Sequence, residues 1–159
     1  AKAPNARGLM LMGAPPMTSA ADMARAFLHT PAMANAFKPD LSMDDARTSA
    51  EVYTWPGSPW IDPMADMIMN ADPRVRSDLG RELMSGQWDD EHALIRRSGV
   101  PVCMVHGQDE PSIALEYLNG IAELFWQQRV HVVEGCGHSA QLQRPEVFNV
   151  LLRTFINAL

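Results

Sequence analysis

Residues 129–148 read RVHVVEGCGHSAQLQRPEVF, and this stretch decides the fold. Val130, Val132 and Val133 form a short β-branched run of the kind that fills a buried strand, and Gly135 and Gly137 then let the backbone turn sharply. His138 is therefore expected just past the end of a strand. In open parallel α/β sheets, ligands and chemistry gather at the carboxyl ends of the strands, so a histidine in a glycine-flanked loop is placed there for proton transfer. A loop histidine with no task fits this stretch equally well.

A second stretch breaks the tie. Residues 100–105 (VPVCMV) form another apolar run, followed by the polar loop His106-Gly107-Gln108-Asp109-Glu110-Pro111 and a helical pattern. A carboxylate after one strand and a histidine after the next are the acid and base of a catalytic triad. Together, PVCMVHGQDEPSI and VHVVEGCGHSAQLQRPEVF resemble the C-terminal motifs of the α/β-hydrolase family. The resemblance puts the acid three residues past the glycine of the HG pair and the histidine in a G-x-GH loop. Counting from Gly107 assigns the acid to Glu110, with Asp109 as the fallback. Gly107, Gly135 and Gly137 are expected to shape the two loops, and replacing Gly135 or Gly137 is expected to misplace the base.

The composition is that of an ordinary soluble globular protein. The chain has 159 residues, 47% hydrophobic and 20% charged, enough to bury one sizeable core. Its net charge of -6 argues against a nucleic-acid or anionic-membrane surface, which needs clustered Lys and Arg, so a small molecule is the expected partner. Cys103 and Cys136 make neither a disulfide framework nor a CxxC motif, which suits a reducing compartment, and the cytoplasm is the expected location. The histidines (His29, His92, His106, His131, His138) lie on separate elements without HxHxDH or HExxH spacing, so neither a metal nor another cofactor is expected. His106 is read as a structural part of the HG turn.

The chain divides into three parts. Residues 1–16 hold a core strand at 8–13, residues 17–97 a mainly helical insertion, and residues 98–159 a closing βαβα unit. In the insertion, residues 17–37 read as one helix or as two broken at Pro31, capped by Thr18 or Ser19, and a further helix over 42–53 is capped by Ser42. WPGSPWIDP then breaks regular structure, and short helices are expected over 64–70 and 75–85, the second initiated by Pro73. Residues 111–126 carry a rough helical face, and the last helix starts at Pro145 with Phe148, Leu151, Leu152, Phe155, Ile156 and Leu159 on one side. In the resembling family such an insertion is the cap over the active site. Eight methionines, among them Met17, Met23 and Met33, suit either a lid over a variable apolar chain or the seam between cap and core. Trp55, Trp60 and Trp88 are candidate pocket residues, and each fits plain packing as well.

The resemblance also implies what lies outside the chain. In the family, R-G-L-x-L-x-G-x-P-P, here RGLMLMGAPP, follows the helix behind the nucleophile, so the G-x-S-x-G elbow is expected upstream of Ala1. Gly57-Ser58-Pro59 and Ser85-Gly86 both fail that pattern. The chain is thus expected to be the C-terminal part of an α/β-hydrolase doubly wound sheet with a helical cap insertion. Its N-terminal complement is the expected protein partner, and the chain alone is expected to be inactive. RGLMLMGAPPM, ADPRVRSDLGRELMSG, HGQDEPSIALEYL and GCGHSAQLQRPEVFNVLLRTFI look most like the α/β-hydrolase type of N-acyl-homoserine lactonase, a quorum-quenching enzyme. The implied reaction is ring opening of a lactone by a serine that His138 activates. A general carboxylesterase, another hydrolase of this fold and a receptor-like ligand-binding protein remain open alternatives.

Overall fold

The computed structural model describes residues 5–86 and 88–159, so the first four residues of the expected 1–16 segment lie outside it. Three strands, β1 (Leu9–Met12), β2 (Val102–Gly107) and β3 (Val130–Val133), form a parallel sheet in the order β1-β2-β3. Leu9 pairs with Val102, and Met104 with Val130. All three strands therefore end at the same edge of the sheet, and the loops leaving β2 and β3 lie side by side there.

The alternation along β2 explains how the sheet is covered. Val102 and Met104 face one layer with Ile113, Tyr117, Leu118 and Phe125, while Cys103 and Val105 face the other with Val133, Phe148 and Phe155. Side chains two residues apart share a face, so this central strand is apolar on both sides. The second layer is closed by α9 (Pro145–Asn157), whose Phe148 and Phe155 are one helical face of the expected apolar series.

Between β1 and β2 run α1 (Ala20–Ala26), α2 (Pro31–Asn35), α3 (Met43–Tyr53), α4 (Ile61–Asn70), α5 (Pro73–Ser85) and α6 (Glu91–Ser98). The residues 17–37 form two helices, and Pro31 starts the second rather than ending the first. Ser42 caps α3 in a capping box with Asp45, whose carboxyl is held at about 2 by Lys38 and by Ser42. α3 and α4 pack through Ala46, Ala50 and Ala65, small side chains that let the two backbones approach. The two ends of the insertion meet: Met17 N–H donates to the Glu91 carboxylate at 2.7 Å, and Glu91 N–H donates to the Met17 carbonyl at 3.1 Å.

Three elements differ from the sequence reading. α4 begins at Ile61 rather than 64, because Pro63 falls in the first turn, where a helix needs no N–H. α6 was not expected; the Asp90 side chain caps it and the left-handed Gly99 ends it. The helix expected over 111–126 contracts to α7 (Leu115–Asn119), followed by 3-10 turns at Ala122–Leu124 and Trp126–Gln128. Residues 111–114 are instead drawn into the acid loop, where Ala26 and Leu28 hydrogen-bond to Ala114 and Ser112.

Candidate active site

The sheet edge brings two loops together. The loop after β2 presents Glu110, and the loop after β3 presents His138, which precedes the short α8 (Ala140–Gln143). The loops are fastened to each other by their backbones: Gln108 N–H donates to the Val133 carbonyl and Asp109 N–H to the Cys136 carbonyl, both at 2.9 Å. The Gln108 side chain accepts the Gly135 N–H at 3.1 Å.

Gly107 lies where these loops touch. A Cβ there would fall 2.0 Å from the Gly137 carbonyl oxygen, so no other residue fits without moving backbone. Gly135 is left-handed, with φ 62°. Gly137 departs from the sequence reading: a Cβ there would meet the Asp109 carbonyl oxygen at 3.4 Å, an ordinary contact, so glycine is not required at that position.

His138 Nδ1 stands 2.8 Å from Glu110 Oε2, with the two side chains 16% and 2% exposed. The other carboxylate oxygen accepts the Ser112 N–H at 2.7 Å, which fixes the carboxylate plane. Asp109, the fallback, is exposed and spends its backbone N–H on Cys136. With Nδ1 donating to the carboxylate, Nε2 is the nitrogen left to take a proton. Nε2 faces the end of β1, where a Cβ on Gly13 would lie 2.7 Å from it; Gly13 is left-handed at φ 66°. The Tyr53 ring packs edge-on against the imidazole, centroids 5.4 Å apart.

Cavities open on both sides of this histidine. One, of about 310 Å³, is walled by Met17, Met23, Phe27, Met33, Phe37 and Leu83 and reaches Gly13 and His138. The other, of about 450 Å³, is more polar, with Glu51, Thr54, Trp55, Asp109 and Gln143 in its wall, and His138 and Val52 border both. The three tryptophans separate here. Trp55 lines the second cavity, Trp60 is 60% exposed on the outside of the insertion, and Trp88 donates its indole N–H to the Leu83 carbonyl. Trp60 is therefore removed from the candidate pocket, its segment having turned it outward at the start of α4.

His106 lies inside β2 rather than in a turn and is buried, with Nε2 3.1 Å from the Ile113 carbonyl. His131 stacks on Trp126, and burial lowers its pKa. Burial pushes the Cys103 thiol up to about 11 and raises that of Cys136. Among the described residues, no group of three His, Cys, Asp or Glu side chains could hold a metal ion, and no helix is long and apolar enough to cross a membrane.

Sequence reasoning singled out neither Gly13, Tyr53 nor Gln143. Gly13 carried a signal, since a glycine ending a strand that should terminate at the catalytic edge is a place for close approach. Tyr53 and Gln143 carried none, because their contacts with this site depend on how the insertion docks.

No protein-family model and no curated protein matches the chain. Among solved structures it is similar to the N-acyl homoserine lactonase AidH complexed with N-butanoyl homoserine, with 26% identity and a TM-score of 0.85, over 96% of this chain and 55% of that one. It is similar also to the esterase RhEst1 from Rhodococcus sp., with 21% identity and a TM-score of 0.75, over 96% of this chain and 56% of that one. A meta-cleavage product hydrolase, CumD, follows the same fold at 19% identity and a TM-score of 0.67, over 94% of this chain and 55% of that one. The chain spans little more than half the length of these proteins, and within that span it has the fold of an α/β-hydrolase, in part.

Proposed function

We propose that this chain is the acid-and-base part of a serine hydrolase acting on carboxylic esters or lactones, and that its substrate is an N-acyl homoserine lactone. The observation that supports this most is the Glu110–His138 contact of 2.8 Å, with Nε2 turned toward a methionine-lined cavity. The insertion between β1 and β2 acts as the cap, and the nucleophilic serine comes from a G-x-S-x-G segment outside this chain.

In the proposed reaction, His138 Nε2 takes the proton of the serine hydroxyl as its oxygen attacks the lactone carbonyl. Glu110 holds the tautomer and stabilises the imidazolium. The ring C–O bond breaks, and the departing alkoxide takes the proton from His138, leaving an acyl-enzyme. Water, deprotonated by His138, then attacks the acyl carbonyl, and the serine recovers its proton. The apolar cavity suits the acyl chain because flexible Met side chains adapt to variable apolar shapes. The more polar cavity suits the homoserine end.

The test is hydrolysis of N-hexanoyl homoserine lactone and of p-nitrophenyl butyrate by the protein carrying this chain, with peptide mapping after a fluorophosphonate. Turnover of the lactone that His138→Ala abolishes, with the label on a serine, is the expected result. Ester turnover without lactone turnover would make the protein a carboxylesterase. Lactone binding without turnover would favour the receptor-like reading and overturn this one.

A further inference from the structure

Gln143, the last residue of α8, takes no part in the chemistry above. We propose that it is a positioning residue that ties the His138 loop to the end of α3, so that the imidazole is held correctly only when the helical insertion is docked. The inference rests on the reading of His138 as the general base.

The Gln143 amide is engaged at both ends. Oε1 accepts the N–H of Gly137, the residue directly before His138, at 3.0 Å. Nε2 donates to the carbonyl of Thr54, the residue directly after Tyr53. Tyr53 in turn packs in a T-shaped pair with the His138 imidazole. One planar amide therefore joins the two segments that flank the imidazole, one through Gly137 and the other through Tyr53.

The partner groups have strong reasons to be satisfied there. Thr54 is 1% exposed and follows the last turn of α3, where carbonyls lose their helical partners. Its hydroxyl donates to the Ala50 carbonyl at 2.7 Å, and the Gln143 amide donates to its carbonyl. The Gln143 backbone is itself fixed by donating to the Ser139 carbonyl at 3.0 Å.

A primary amide suits this task because it carries an acceptor and a donor on one rigid group. Glutamate can still accept from Gly137 but presents a second acceptor to the Thr54 carbonyl. Methionine fills nearly the same volume and makes neither bond. The two replacements thus separate the loop anchor from the cap tether.

The experiment is steady-state kinetics on p-nitrophenyl butyrate in the protein carrying this chain, together with the downfield proton NMR signal of His138 Nδ1–H and a thermal melt. Gln143→Met is expected to lower kcat about tenfold, the scale of a buried hydrogen bond lost, and to broaden the Nδ1–H signal by solvent exchange. Gln143→Glu, which keeps the Gly137 anchor and loses the cap tether, is expected to lower kcat about threefold and to broaden that signal less than Gln143→Met does, while raising KM about tenfold. Both variants should retain a cooperative melt. Wild-type kcat with a sharp signal in Gln143→Met would overturn the proposal, as would two variants that match each other in kcat, KM and signal, because packing alone would then account for both. Should the wild-type protein hydrolyse no ester, the proposed function fails by itself, and the Nδ1–H comparison still decides the role of Gln143.

Discussion

Replacing Gly107 by alanine tests how the acid and the imidazole are held together. The added Cβ would lie 2.0 Å from the Gly137 carbonyl oxygen and 2.5 Å from that of Cys136, whereas real Cβ atoms keep at least 3.0 Å from such atoms. The two loops must therefore part by about 1 Å, and β2 cannot yield easily because it is paired on both sides. A displacement of that size would stretch the Glu110–His138 contact from 2.8 Å to about 3.8 Å, outside hydrogen-bond range. A charge-assisted hydrogen bond contributes about 1.5–3 kcal/mol, or roughly 10- to 150-fold in rate, and misplacing a catalytic group by about 1 Å costs a similar factor. We expect kcat for p-nitrophenyl butyrate to fall about 10²-fold, with overpacking costing about 1–3 kcal/mol of stability. Gly137→Ala is the comparison, since its Cβ would meet only ordinary contacts, the nearest at 3.4 Å; it should cost less than about tenfold. A folded Gly107→Ala protein with kcat within about threefold of wild type would refute the reasoning, because the loops could then separate without disturbing the pair.

Three further outcomes are expected. Glu110→Gln should lower kcat by on the order of 10³- to 10⁴-fold by disturbing the tautomer, while Asp109→Asn should cost less than about tenfold; the reverse order, measured on the same ester, would move the acid to Asp109. Burial raises Cys103 from 9.0 to about 11 and Tyr117 from 10.0 to about 12, so the folded state keeps protons that the unfolded chain sheds. Stability should therefore be intact below pH 9 and fall as pH rises toward 12; thermal melts across that range check it, and a flat profile would contradict it. Val52→Trp, at the wall shared by both cavities, should raise KM for a long-chain acyl lactone at least about tenfold more than for a short-chain one, and equal changes would remove Val52 from the substrate path.

The parts of this fold legible in the sequence are those set by short-range pattern. The β-branched run at Val130, Val132 and Val133 is a strand, and Pro145 with its apolar series starts a helix, because side-chain period and local sterics suffice to specify both. The family resemblance, not a local pattern, pointed three residues past Gly107 to Glu110, and Glu110 is the carboxylate beside His138. Where long-range contacts decide, the pattern fails. The apolar face over 111–126 looks helical, yet Ser112 and Ala114 are recruited by residues 26–28, an antiparallel match that no local signal announces. Trp60 has the look of a pocket residue among prolines and a glycine, but it stands outside because α4 begins one residue after it.

The same distinction accounts for how the candidate site is built. The Glu110–His138 contact joins residues 28 apart, and the Gln143–Thr54 contact residues 89 apart. Gly13 comes to the imidazole from β1 and Tyr53 from the far side of the insertion. Each element supplies one side of the enclosure around a single imidazole. Loop-closure entropy must be met before such contacts stabilise anything, so the geometry at His138 depends on the cooperative folding of sheet and insertion together. Substitutions far from His138 that loosen the insertion should therefore act on the imidazole as surely as substitutions beside it, and the path for that effect runs through Tyr53, Thr54 and Gln143.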